Sequence, residues 1–184
     1  MEYTKTRLRD ICTTNQDSYS DKELWSFINY LDTGNITNNT IDDIQYFSIT
    51  GDKYPSRAKR KVKIDDIIYS TVRPNQRHFG IIKQIPDNFL VSTGFVVISV
   101  NPKIADADYV YFYLTQDAIV ENLHSLAEQS TSTYPSIRPS DIENITIDLP
   151  PIDIQKSISK ILKILNGKIE VNNKINDNLS YILT

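Results

Sequence analysis

Residues 149–183 read LPPIDIQKSISKILKILNGKIEVNNKINDNLSYIL. The stretch opens on Pro150 and Pro151; from Asp153 to Leu183 there is no proline, and Gly167 is the only glycine. Apolar residues fall at Ile154, Ile158, Ile161 and Leu165, then at Ile175, Leu179 and Ile182. Steps of four, three and four are coiled-coil spacing. The stretch therefore predicts one helix, with Pro151 at its start and Asp153 at the N-cap. A helix of ~30 residues is ~45 Å long. The repeat falls on Lys168 and Asn172 at its middle, with Ile169 and Val171 beside them. There the helix bends or uses polar groups to fix its register. Such a helix must bury its seam, either on its own domain or against a second chain. The double proline and the length of the seam favour a projecting helix that pairs.

Upstream of the prolines the pattern is mixed. Residues 66–72, 79–85 and 94–100 are β-branched and aromatic and are bounded by turn residues, so they predict strands, two of them buried on both faces. Weaker strands are expected at 25–31, 44–49 and 144–149. Residues 108–127 predict one or two helices capped by Asp106 or Asp108. Ser140 and Glu143 stand at capping-box spacing, which predicts a short helical turn after Pro139. The fold class expected is α+β: a mixed domain over residues 1–150 with a β-sheet and short helices, followed by a long coiled-coil helix over 151–184.

Composition bounds the chemistry. The 184 residues are 40% hydrophobic and 23% charged, with a net charge of −3, as in globular proteins. No apolar run reaches the ~20 residues of a membrane span, and Met1–Lys5 lacks the apolar core of a signal peptide. With Cys12 alone, no intrachain disulfide forms, and a cytoplasmic location is expected. The five glycines are never closer than 14 residues, which excludes a P-loop or GxGxxG fingerprint. His78 and His124 are the only histidines, and with one cysteine they make no zinc cluster. Asp42-Asp43 and Asp65-Asp66 read as turn residues, not metal ligands. The chain reads as a binder without a catalytic site or metal.

The basic residues are concentrated. Lys53, Arg57, Lys59, Arg60, Lys61 and Lys63 fall within eleven residues that contain no acid, either a solvated loop or a local attraction for phosphate. Arg73, Gln76, Arg77 and His78 form a second set in the loop after the strand at 66–72. Arginine suits guanine edges, and amides suit adenine edges.

Several segments, taken in order, resemble the DNA-specificity (S) subunits of type I restriction–modification systems. Tyr30–Ile36 resembles their early strand-and-turn motif. Asp66–Asn75 resembles the strand that leads to an arginine, Ser92–Ile98 the strand that follows, and Tyr109–Leu114 the aromatic helix. Thr133–Arg138 and Leu149–Gln155 resemble the approach to the long helix, and Lys168–Asn172 with Lys174–Asn176 its later half. Residues 12–28 and 52–62 resemble the shared pattern least, and would vary with the DNA sequence read. Family members usually carry two recognition domains and two long helices; this chain has one of each, as a half-subunit, truncated gene or fragment would.

The resemblance implies a non-catalytic subunit in which each target-recognition domain reads one half of a split DNA site. The partners it implies are double-stranded DNA, a modification (methyltransferase) subunit, and a restriction subunit through the complex. It also implies an antiparallel pairing of the chain with itself or with a second half-subunit. S-adenosylmethionine and ATP are expected in the partner subunits, none in this chain. Lys53, Arg57, Lys59, Arg60, Lys61 and Lys63 are then phosphate candidates. Arg73, Gln76, Arg77 and His78 are DNA-contact candidates, with Arg73 equally suited to scaffold duty. Tyr109, Tyr111 and Tyr113 suit core and interface roles, and Tyr134 and Arg138 suit packing or turn roles. Two identical domains about a twofold axis would read a split palindrome. A dimeric interaction scaffold without DNA specificity is the alternative; it would have no use for the basic segment. A nuclease with an atypical carboxylate site is the third, and no motif supports it.

Overall fold

The computed structural model describes residues 3–20, 22–49, 53–129 and 135–182, with residues 177–182 as backbone only. Its centre is a pair of four-stranded sheets. In one, the order is β2 (Cys12–Thr14), β11 (Phe95–Val100), β8 (Ile67–Ser70) and β9 (Phe79–Ile81), all antiparallel. In the other, β6 (Gln45–Ser48), β3 (Phe27–Leu31), β10 (Phe89–Ser92) and β7 (Ala58–Arg60) lie side by side, with β3 and β10 parallel.

Side-chain alternation along the strands sorts the core into layers. Ile67, Tyr69, Val96 and Ile98 face the helices. Ile68, Phe95 and Val97 face Leu31, Phe89 and Val91 of the second sheet. Ile28, Tyr30 and Leu90 face a third cluster on the far side, beneath Tyr19, Trp25 and Tyr54. β8, β9 and β10 are buried along their whole length and β11 over its first four residues, which accounts for the continuous apolar runs at 66–72 and 94–100.

Helices α1 (Ala107–Leu114) and α2 (Asp117–Glu128) cover the first sheet. Asp106, of the two candidate caps, accepts from Tyr109 N and starts α1. Tyr109 and Tyr113, one helical turn apart, donate their hydroxyls to Asp148 O (3.0 Å) and Thr146 O (2.9 Å). These carbonyls belong to β12 (Thr146–Leu149), which pairs antiparallel with β1 (Thr4–Arg7). Tyr111 turns inward, edge-on to Phe79. Tyr134 lies outside the described residues.

Several expectations change. The short helix α3 (Pro139–Glu143) is closed by Asp141, which accepts from Arg138 N; Ser140 and Glu143 do not form the box, because Glu143 accepts instead from the Thr14 hydroxyl. The strand expected at 79–85 ends at Ile81. The basic run is not one loop, since Ala58–Arg60 forms β7 against β10. A two-residue hairpin, β4 (Ile36–Thr37) and β5 (Thr40–Ile41), turns on Asn38 and Asn39, both at positive φ, as such tight turns require. Asn39 accepts from Ile81 N. A Cβ on Gly80 would stand 2.6 Å from Ile36 Cδ1 and 2.8 Å from Asn39 Oδ1, so glycine is what lets the hairpin lie on β9.

Cys12, the only cysteine, is buried and donates to Leu8 O at 2.9 Å. Burial, with Glu143 nearby, pushes its thiol up to about 12. No helix among the described residues is long and apolar enough to cross a membrane.

Candidate nucleic-acid interface and pairing helix

Helix α4 (Ile152–Ile182) runs for 31 residues. Its first turn differs from expectation. The Pro151 carbonyl accepts from Ile154 N and Gln155 N, so Asp153 lies inside the first turn, where a carboxylate favours the helix dipole, and not at the cap. The helix continues unbroken through Gly167, and a Cβ there would meet nothing within 4 Å.

The helix meets the domain through polar residues. Gln155 is 1% exposed. Its amide donates to Pro150 O (2.8 Å) and Ile104 O (3.4 Å), and its oxygen accepts from Asp106 N (2.8 Å). One turn on, the Ser159 hydroxyl reaches Asp106 Oδ1 at 2.6 Å. Another turn on, Lys163 Nζ lies 2.7 Å from Asp108 Oδ2. Lys83 completes this clamp, 2.9 Å from Asp108 Oδ1 and 2.7 Å from Asp65 Oδ1. The spacing i, i+4, i+8 puts all three α4 residues on one face.

The apolar seam is elsewhere. Ile154 and Ile158 are half-buried at the base of the helix. Beyond them Ile161 is 59% exposed, Leu165 50% and Ile175 50%, with Ile164, Ile169 and Val171 also in the open. The side chains of Leu179 and Ile182 lie outside the described residues.

Burial alone would raise the Asp108 carboxyl, but hydrogen bonds from Lys163 and Lys83 outweigh it and hold the group below its ordinary value. For Lys83, burial works downward, and bonds to Asp65 and Asp108 raise it. A depressed carboxylate stabilises the fold above its unfolded value of about 4, and that contribution is lost as pH falls through the folded value. A raised lysine stabilises below about 10.4, and its contribution is lost as pH rises past the folded value. The clamp is thus strongest between these limits. Hydrogen exchange corrected for intrinsic rates should show the start of α4 losing protection as pH falls below about 4, before the central strands do. A start of α4 that keeps its protection down the whole acid limb until the central strands lose theirs would rule the clamp out.

The expected DNA-contact residues do not form one patch. At one end of β8, the Thr93-Gly94 turn joins β10 to β11. Thr93 N donates to Arg57 O, and Thr71 N and its hydroxyl both donate to Gly94 O. Arg57 therefore lies just across this turn from the 71–73 segment. Arg57 and Arg73 are exposed, and neither has an acidic partner among the described residues. Arg73 takes positive φ and donates its N–H to Pro135 O, which fixes the start of the loop; Gln76 is exposed. Arg77 and His78 are less free than expected. Arg77 pairs with Asp117 at 2.8 Å. His78 Nδ1 sits 2.6 Å from Ile36 O, which can only accept, so this nitrogen carries the proton.

The basic run leads away from that end. Lys53 is exposed; Lys59 and Arg60 are half-buried along β7. Burial lowers the Arg60 guanidinium, whose Nε is buried without a partner among the described residues. Lys61 pairs with Glu23 and stands 5.4 Å from the Trp25 ring centre. Lys63 lies at the opposite end of β8 from Arg73, and its N–H donates to Asp66 Oδ2. Asp66 also accepts from the Ser99 hydroxyl, which explains a buried carboxylate at the head of β8. The pairs Arg77–Asp117 and Lys61–Glu23 join residues distant in sequence that neither composition nor spacing reveals.

A family model described as "Type I restriction modification DNA specificity domain" matches residues 1–181. The chain is 29% identical over 153 residues to the type I restriction enzyme HindI specificity subunit of Haemophilus influenzae, covering 83% of this chain and 33% of that protein. Two solved structures share its fold. One, from work on complex assembly and conformational transition of a type I R-M system, superposes with a TM-score of 0.78 at 23% identity. The other, the HsdS subunit from Thermoanaerobacter tengcongensis, superposes with a TM-score of 0.77 at 23% identity. Each covers 94% of this chain and 44% of the other. The chain thus spans about a third of the length of the curated relative and under half of each structural one.

Proposed function

The chain belongs to the type I restriction–modification DNA specificity domain family, and on that premise we propose that it is a DNA-reading module that pairs through its long helix. Residues 1–150 act as the target-recognition domain and 151–184 as the pairing arm, working in the cytoplasm. Two arms packed antiparallel through Ile154, Ile158, Ile161, Leu165, Ile175, Leu179 and Ile182 form a coiled coil that holds two domains apart. The observation that carries this reading is the division of α4 into two faces: Gln155, Ser159 and Lys163 serve the domain, while Ile161, Leu165 and Ile175 stand in solvent. A seam left out of its own core is cover for a second helix. That argues against the reading in which α4 folds back to bury its seam.

Within the domain, Arg57 and Arg73 are the strongest phosphate candidates, because no acid among the described residues neutralises them. Lys53, Lys59, Arg60 and Lys63 add long-range attraction. Gln76, with Arg77 and His78 once released from Asp117 and Ile36, completes the loop set. The module directs a modification subunit that methylates adenine with S-adenosylmethionine, and a restriction subunit that uses ATP.

Co-expression with a modification subunit, followed by mapping of N6-methyladenine, tests the proposal. Two copies about a twofold axis should yield a split palindromic motif. An asymmetric motif from this chain acting alone would overturn the homodimer. A chain that captures no modification subunit and directs no methylation would return the reading to an interaction scaffold.

A further inference from the structure

The two stretches that least resemble the shared pattern, 12–28 and 52–62, meet in space. Tyr19 N donates to Lys59 O at 2.7 Å, Lys61 N donates to Asp17 O at 3.2 Å, and Ser18 bridges Arg60. A short tip rises from this junction. Glu23 N donates to Ser20 O, and Trp25 N to Glu23 O, both at 2.8 Å. The Tyr19 hydroxyl donates to Glu23 O, and the Tyr19 and Trp25 rings lie 4.6 Å apart. Lys61 locks the base by pairing with the Glu23 carboxylate and standing over Trp25. On this restrained tip Leu24 is 98% exposed.

A lone exposed leucine is ordinary on a free loop. Here its neighbours are pinned by backbone bonds, an aromatic contact and an ion pair, so the apolar group is presented in a fixed place. The ion pair also matters for approach to DNA: unpaired, the Glu23 carboxylate would repel phosphate, and Lys61 cancels it. Exposed Arg57, four residues before Lys61, supplies attraction on the same segment.

We propose that Leu24 is a base-reading residue that packs on a thymine C5 methyl in the major groove, with Lys61 as its positioning residue. The inference rests on the DNA-reading function above. It recasts Lys61, which supports the tip and does not hold phosphate. The thymine methyl is the one apolar group on the major-groove base edges, and it is the group there that an exposed leucine side chain, with no donor or acceptor of its own, matches.

The test is selection of bound duplexes from a randomised pool by the purified full chain. The parent should enrich a motif with one position preferring thymine by about fourfold, the scale of one buried methyl contact. Leu24→Ala should lose that preference and keep every other position. Deoxyuridine in place of that thymine should weaken the parent by the same factor and leave Leu24→Ala unchanged. Lys61→Met and Glu23→Gln should each relax the same position, since either breaks the ion pair that holds the tip; a plain phosphate ligand at Lys61 would instead weaken all sequences alike on Lys61→Met. Leu24→Ala enriching the parent motif with every preference intact would overturn the assignment. A parent that enriches no motif would overturn the DNA-reading premise itself.

Discussion

A chain carrying Ile161→Asp and Leu165→Asp is expected to be monomeric in light scattering, where the proposed pairing makes the parent a dimer. Both side chains are at least half-exposed in the single chain, so the domain should fold and melt as the parent does. In a paired seam each new carboxylate would be buried without a partner. Even about 2 kcal/mol per site amounts to a factor near 10³ for one chain's two sites, and the twofold doubles the number of sites. Methylation by the complex should fall with dimerisation. A double variant that remains dimeric would move the interface off this seam.

Gln155→Leu is expected to lower the stability of the domain–helix junction by about 3 kcal/mol. The new side chain is similar in size and apolar, so packing is nearly kept. The loss is polar: Asp106 N–H, part-buried, and the Pro150 carbonyl, buried, both bonded to Gln155 at 2.8 Å, are left without partners. Unsatisfied buried groups cost about 1–3 kcal/mol each. Thermal unfolding should shift down by about 6–12 °C, whereas Lys156→Ala, next along the helix and exposed, should leave it in place. A Gln155→Leu chain that melts with the parent would mean that α4 is held by its apolar base alone.

These two substitutions mark where sequence reading works and where it stops. The seam at Ile154, Ile158, Ile161 and Leu165 was legible because apolar spacing is a one-dimensional signal. Gln155, Ser159 and Lys163 repeat at an equally regular interval, yet polar residues at helical spacing also describe any solvated face. Only the positions of Asp106 and Asp108 make them a joint. Strands β8 and β11 announced themselves through β-branched runs. β7 did not, because Ala58-Lys59-Arg60 has low strand propensity and is held by its neighbour β10. Among the site candidates, clustering of charge in sequence suggested one basic patch. The fold runs Lys53–Lys63 along the length of a sheet, and it is the Thr93-Gly94 turn that brings Arg57 near Arg73.

The state of Cys12 has a practical consequence. Its thiol is buried, bonded to a carbonyl and about 12 in pKa, so almost none of it is thiolate at neutral pH, the form that reacts with maleimides and spin labels. A cysteine introduced at an exposed position such as Lys160 or Lys174 would then be labelled against a silent background. Two such labels on paired arms form a ruler. In antiparallel arms like positions approach each other toward the middle and separate toward the ends, whereas in parallel arms every pair of like positions lies equally close.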